Sequence, residues 1–165
     1  MFAVGDKVVY PMHGAGIIEA IEEQEILGEL KKYYVMRIPL GDMKVMIPMD
    51  NVEHIGLREV VGPDVVEQVM NIIREQDTDT SMNWNQRYRA NMDKIKSGDI
   101  CQVADVVRSL MFRDREKGLS TGERKMLDQA KQILISELAL AQDIDCQEVV
   151  TTITQLVYEQ KDASQ

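Results

Sequence analysis

One change of hydrophobic period governs what this chain can fold into. Up to residue 57 the apolar residues come in short, β-prone runs cut by turn residues, and from residue 58 onward they recur at helical spacing. Period two builds a sheet with one face turned inward, and period 3.6 builds amphipathic helices. A chain that switches once therefore folds as a strand-built unit followed by a helix-built one. Its 165 residues give room for one ordinary domain or two small ones.

The strand runs are Lys7-Val8-Val9-Tyr10, Ile17 to Ile21, Tyr33 to Ile38 and Val45-Met46-Ile47. Turn residues fill the gaps, with Pro11 to Gly16, then Leu27-Gly28-Glu29, then Leu40-Gly41-Asp42. Strands this short and this close in sequence protect their edges best by curling into an SH3-like or Tudor-like barrel. The expected fold class is α+β with two domains: a small β-barrel over residues 1–57 and an all-α domain of about five helices over residues 58–165.

The helix starts are well marked. Pro63 suits the first helical position and leads into Val65, Val66, Val69, Met70 and Ile73. The polar run Gln76 to Ser81 reads as a loop, and Asn83 reads as the N-cap of a helix with Trp84, Tyr88, Met92 and Ile95 on one face. Gly98 stops it. Asp99 with Gln102, Ser120 with Glu123, and Asp145 with Glu148 open three more helices, and residues 160–165 are expected to fray.

Several function classes drop out. No apolar run nears the ~20 residues a membrane span needs, and the N-terminus lacks a signal peptide's basic and apolar regions, which predicts a cytoplasmic protein. Cys101 and Cys146 lack metal-ligand spacing and read as reduced thiols. His13 and His54 have no second ligand at metal-binding distance along the chain, and Gly14-Ala15-Gly16 lacks the lysine and further glycine of a phosphate loop. With no nucleophile elbow or paired carboxylates, the sequence predicts no enzyme, no metal, no cofactor and no small-molecule substrate.

The net charge of −9 argues against a nucleic-acid partner until it is resolved along the chain. Residues 84–131 carry 11 basic against 7 acidic side chains, net +4, while every other stretch is net acidic. Such an island is either an interaction surface or a solvated helix face. Arg87 and Arg124 fall at the fourth positions of their helices, where a cation opposes the helix dipole until an anion arrives. Trp84, the only tryptophan, has two readings: a core residue beginning an apolar stripe, or an exposed wedge that stacks on unpaired bases.

Val4-Gly5-Asp6-Lys7-Val8-Val9-Tyr10-Pro11-Met12-His13-Gly14 and Ile47-Pro48 with Asn51 resemble the N-terminal module of the bacterial CarD and CdnL transcription regulators, a module shared with transcription-repair coupling factors. Asn83-Trp84-Asn85-Gln86-Arg87-Tyr88-Arg89, Gly98-Asp99 and Gly118 to Leu127 resemble the family's helical half. The resemblance spans roughly residues 1–145.

The resemblance implies a regulator that binds the RNA polymerase β-subunit lobe through residues 1–57 and contacts promoter DNA at the upstream edge of the melted bubble. In that picture Trp84 wedges into the minor groove, Arg87, Arg89, Arg124 and Lys125 hold phosphates, and the open complex lives longer. The polymerase face would be a strand edge carrying Gln24, Lys44, Met46 and Ile47. At Gln24 and Met46 the chain departs from arginines that some members use, so backbone pairing would have to carry more of that contact. A competing reading is a protein–protein adaptor that never touches DNA.

Overall fold

The computed structural model describes residues 2–75 and 82–163, with side chains through Tyr158. The loop expected at Gln76 to Ser81 and the final residues 164–165 lie outside the described residues. Five strands form one antiparallel sheet: β1 (Lys7–Tyr10), β2 (Gly14–Ile26), β3 (Glu29–Ile38), β4 (Met43–Pro48) and β5 (Arg58–Glu59). Their order in space is β4-β3-β2-β1-β5, and the register of β2 on β3 shifts between Ile18 and Ala20. A bulge of this kind bends and twists the strand, which lets a small sheet wrap a core. That core is Val8, Ile18, Tyr34, Met36, Ile38, Ile47 and Leu57.

The β2–β3 hairpin is longer than the strand runs in the sequence. Residues 21–32 are exposed along both strands of this arm, so no inward face imposes alternation on them. Leu27 and Gly28 close it at φ 54° and 81°, the doubly positive pair that a two-residue hairpin turn requires. Leu27 takes that conformation at a steric cost and is 99% exposed.

A single 3-10 turn (Met49–Asn51) and a one-turn helix α1 (Val52–Ile55) lead to β5. The five expected helices follow as α2 (Pro63–Arg74), α3 (Trp84–Lys96), α4 (Ile100–Lys117), α5 (Thr121–Gln142) and α6 (Cys146–Ala163). The extra helix α1 is too short to leave a period in the sequence. α6 continues through Ala163, past the expected fraying point, with neither Pro nor Gly there to break it. Leu110, Ala130, Leu134 and Leu138 are fully buried where α4 and α5 meet.

α5 also carries the sheet. The backbone N–H of Ala15 donates to Ser136 Oγ at 2.8 Å, and a Cβ at Gly14 would sit 2.8 Å from the same oxygen. Arg58 of β5 grips Glu137 of α5 with two bonds of 2.7 and 2.8 Å, and the Val61 N–H donates to the same carboxylate at 3.0 Å. Further along α5, Gln129 and Gln132 donate to the carbonyls of Met12 and His13, and Lys7 Nζ donates to that of Leu140. The two halves of the chain thus share a seam crossed by side-chain hydrogen bonds.

Candidate nucleic-acid interface

The N-termini of α3 and α5 lie side by side. Asn83 caps α3 with a complete capping box: its side chain accepts from Gln86 N–H, and Gln86 accepts from Asn83 N–H. Ser120 caps α5 by accepting from Glu123 N–H at 3.2 Å. The Ser120–Glu123 box is only half made, because the Glu123 carboxylate turns to Arg87 instead. Arg87 Nε donates to Glu123 Oε2 at 2.8 Å and Nη2 to Oε1 at 3.3 Å, with Arg113 Nε 4.0 Å from Oε1.

Glu123 is 1% exposed. Burial pushes its carboxyl pKa up, but the bonds and charge of Arg87, helped by Arg113 and Ser120, outweigh this and hold it below the ordinary carboxylate range. Asp105 follows the same pattern on α4, its burial overcome by Lys94 and Arg108. The anion that Arg87 needs at a helix N-terminus is therefore supplied from within the protein.

Trp84 resolves its two readings in favour of the surface. The indole is 43% exposed, lies flat on Tyr88 with ring centroids 5.0 Å apart and planes 19° from parallel, and donates Nε1–H to Ser120 Oγ at 3.1 Å. The stripe it begins goes inward only gradually, through half-buried Tyr88 and Met92 to Ile95 at 1%. Gly122 of α5 lies beneath the stack, where a Cβ would stand 3.8 Å from the indole and 3.6 Å from the Tyr88 ring. A shallow groove beside the indole is lined by Asn85, Arg89, Met92, Asp93 and Lys96.

The structure sorts the cations picked out in the sequence. Arg89 and Lys125 are exposed and carry no ion pair among the described residues; Lys125 follows Gly122 by one helical turn. Arg124, half-exposed, binds Asp114 of α4 at 2.8 Å. Arg87 is mostly covered and committed to Glu123. Ser120, Glu123 and Tyr88 belong to this site although the sequence offered no sign of it beyond a capping pattern and an apolar stripe.

On the sheet, Gln24 and Met46 come together, with Gln24 Nε2 3.7 Å from Met46 Sδ on the exposed face of β2–β3–β4. Lys44 pairs with Glu19 at 3.6 Å. Ile47 is fully buried, so only its backbone reaches the β4 edge. His13 packs edge-on against Tyr10 at 4.4 Å, and among the described residues no group of three or more His, Cys, Asp or Glu is placed to hold a metal. Both thiols are half-buried and raised above the ordinary cysteine range by that burial. No described helix is long and apolar enough to cross a membrane.

Comparison with known proteins agrees with this layout. Residues 2–61 match the family described as CarD-like/TRCF RID domain, and residues 68–154 match CarD, C-terminal domain. A protein of Bacillus subtilis (strain 168) named "Putative transcription factor YdeB" is 47% identical over 144 residues, covering 87% of this chain and 94% of that one. The solution structure of the 72-residue N-terminal domain of Myxococcus xanthus CarD is 37% identical, with a TM-score of 0.32, over 36% of this chain and 79% of that one. Two adjoining matches that between them span both the sheet and the helices make this chain a member of the CarD family of transcription factors.

Proposed function

We propose that this protein works in the cytoplasm as a transcription regulator that binds RNA polymerase, at its β subunit, through the free β4 edge, and lengthens the life of the open promoter complex. Trp84 enters the minor groove at the upstream edge of the bubble, with Arg89, Lys125 and Arg124 on the flanking phosphates. Arg87 acts from behind, as the residue that fixes α3 to α5. The observation that carries this reading is the exposed Trp84 indole, presented at a helix start beside two cations, Arg89 and Lys125, that carry no ion pair among the described residues.

An aromatic side chain inserted at a base step gains where the bases are already unstacked, so it binds melted DNA better than closed duplex. The open state is favoured by that difference in binding and by nothing else. A difference of about 1.4 kcal/mol is tenfold in the equilibrium, provided that polymerase supplies the local concentration. Gln24 and Met46 leave the polymerase contact without family arginines, and an edge strand supplies backbone bonds that tolerate such exchange.

The overall charge of −9 and the internal pairing of Arg87 and Arg124 favour a second reading, an adaptor that binds protein alone. Footprinting of a promoter with polymerase separates them: the regulator adds protection at the upstream bubble edge and the adaptor adds none. Trp84→Ala should retain polymerase binding and lose most of the gain in open-complex lifetime; an unchanged lifetime rejects the wedge.

A further inference from the structure

We propose that Ser120 is a positioning residue for Trp84, and that its hydroxyl is required for a reason that helix capping does not explain. The proposal rests on the wedge reading and names what aims the wedge. A serine hydroxyl has two acceptor lone pairs and one hydrogen. Here all three are engaged: it accepts from Trp84 Nε1–H at 3.1 Å and from Glu123 N–H at 3.2 Å, and it lies 3.5 Å from Glu123 Oε1, to which it donates.

Asparagine and aspartate cap helices as well as serine does. At this position aspartate has no hydrogen to give and would set a second carboxylate against Glu123, which is 1% exposed. Threonine has the serine inventory, and its extra methyl would meet solvent because residue 120 is exposed.

The contacts close a ring. Trp84 binds Ser120, Ser120 binds Glu123, Glu123 binds Arg87, and Arg87 sits on α3 one turn after Trp84. The indole is held at its Nε1 edge by this ring, on one face by Tyr88 and near Cζ2 by Gly122, and the 43% of the residue left exposed is what remains to enter DNA. Holding a side chain in its bound orientation before it binds removes the cost of ordering it afterwards. Without the Ser120 hydroxyl the indole keeps its stack on Tyr88 but loses the bond that sets its direction.

Because Trp84 is the only tryptophan, its indole N–H resonance and fluorescence report on this contact without ambiguity. The test uses the full-length protein as Ser120→Ala, Ser120→Gly and Ser120→Thr, with Trp84→Ala alongside. Glycine caps a helix nearly as well as serine, so a loss common to Ala and Gly does not come from uncapping.

Ala and Gly should move the indole N–H resonance toward that of a free indole, speed its exchange with water and shorten the open complex about two- to fivefold, with polymerase binding intact. Thr should restore all three. An unmoved resonance in both Ala and Gly overturns the proposal, as does a moved resonance with an unchanged open-complex lifetime where Trp84→Ala shortens it. If Trp84→Ala itself leaves the lifetime unchanged, the wedge reading fails, and the resonance alone then decides whether Ser120 positions the indole.

Discussion

Arg58, on the last strand of the sheet, and Glu137, in the last third of α5, meet in a two-pronged ion pair although 79 residues separate them in sequence. The carboxylate is fully buried and the guanidinium about one-third exposed. Paired and hydrogen-bonded, such a carboxylate is tolerated inside a protein; stripped of its cation it is not.

Arg58→Ala should therefore lower the unfolding free energy by about 3 kcal/mol, since it leaves Glu137 with only the Val61 N–H. Urea denaturation followed by circular dichroism measures this. A loss under about 0.5 kcal/mol would place the pair among inconsequential surface bridges.

Gly16 lies where a Cβ would overlap the carbonyl oxygen of Arg37 on the neighbouring strand. Gly16→Ala should force β2 and β3 apart and cost about 1–3 kcal/mol. Gly62→Ala, at a site with open space around it, serves as the control. Thermal melts of the two variants should differ by several degrees, in that order.

Acid should loosen the Trp84 site. The Glu123 carboxyl is lower in the folded protein than in the unfolded chain. Its stabilising contribution is complete above the unfolded carboxyl range of about 4.3 and is lost as pH falls through the lower folded value. Trp84 emission should be flat near neutrality and shift to the red only in acid. In Glu123→Gln this carboxyl's part of the transition should vanish.

Asp114 competes with any other anion for the half-exposed Arg124. Asp114→Asn should strengthen promoter protection by about two- to fivefold at low salt, a gain worth the 0.3–1 kcal/mol, roughly, of a partly exposed ion pair. Arg89→Ala, which removes a cation with no ion pair among the described residues, should weaken protection more than Arg124→Ala does, and should reduce the salt slope by about one. Equal losses from the two would mean that Arg124 leaves Asp114 on binding.

Much of this architecture is written locally. The period change, the Pro63 start and the Asn83 and Ser120 caps depend on neighbours within a few residues, and each stands where the sequence indicates. The exposed arm of β2 and β3 is hidden because strands wet on both faces have no alternation to read. The site was legible only in outline. Arg87 and Arg124 show as cations at helix starts, but their partners Glu123 and Asp114 lie 36 and 10 positions away, and a capping pattern pointed Glu123 at its own helix end. Trp84 was undecided for the same reason: whether an aromatic at the head of an apolar stripe is covered depends on what another helix places above it.

The seam between α5 and the sheet sets a fixed offset. Ser136 and Glu137 clamp β2 and β5 to the same helix whose other end, at Ser120, holds the indole. About sixteen residues of α5 lie between, some 24 Å at the ordinary helical rise. On the proposed function, whatever grips the sheet decides where along a DNA duplex the indole can land, and α5 is the arm of a caliper whose opening is set by residue count.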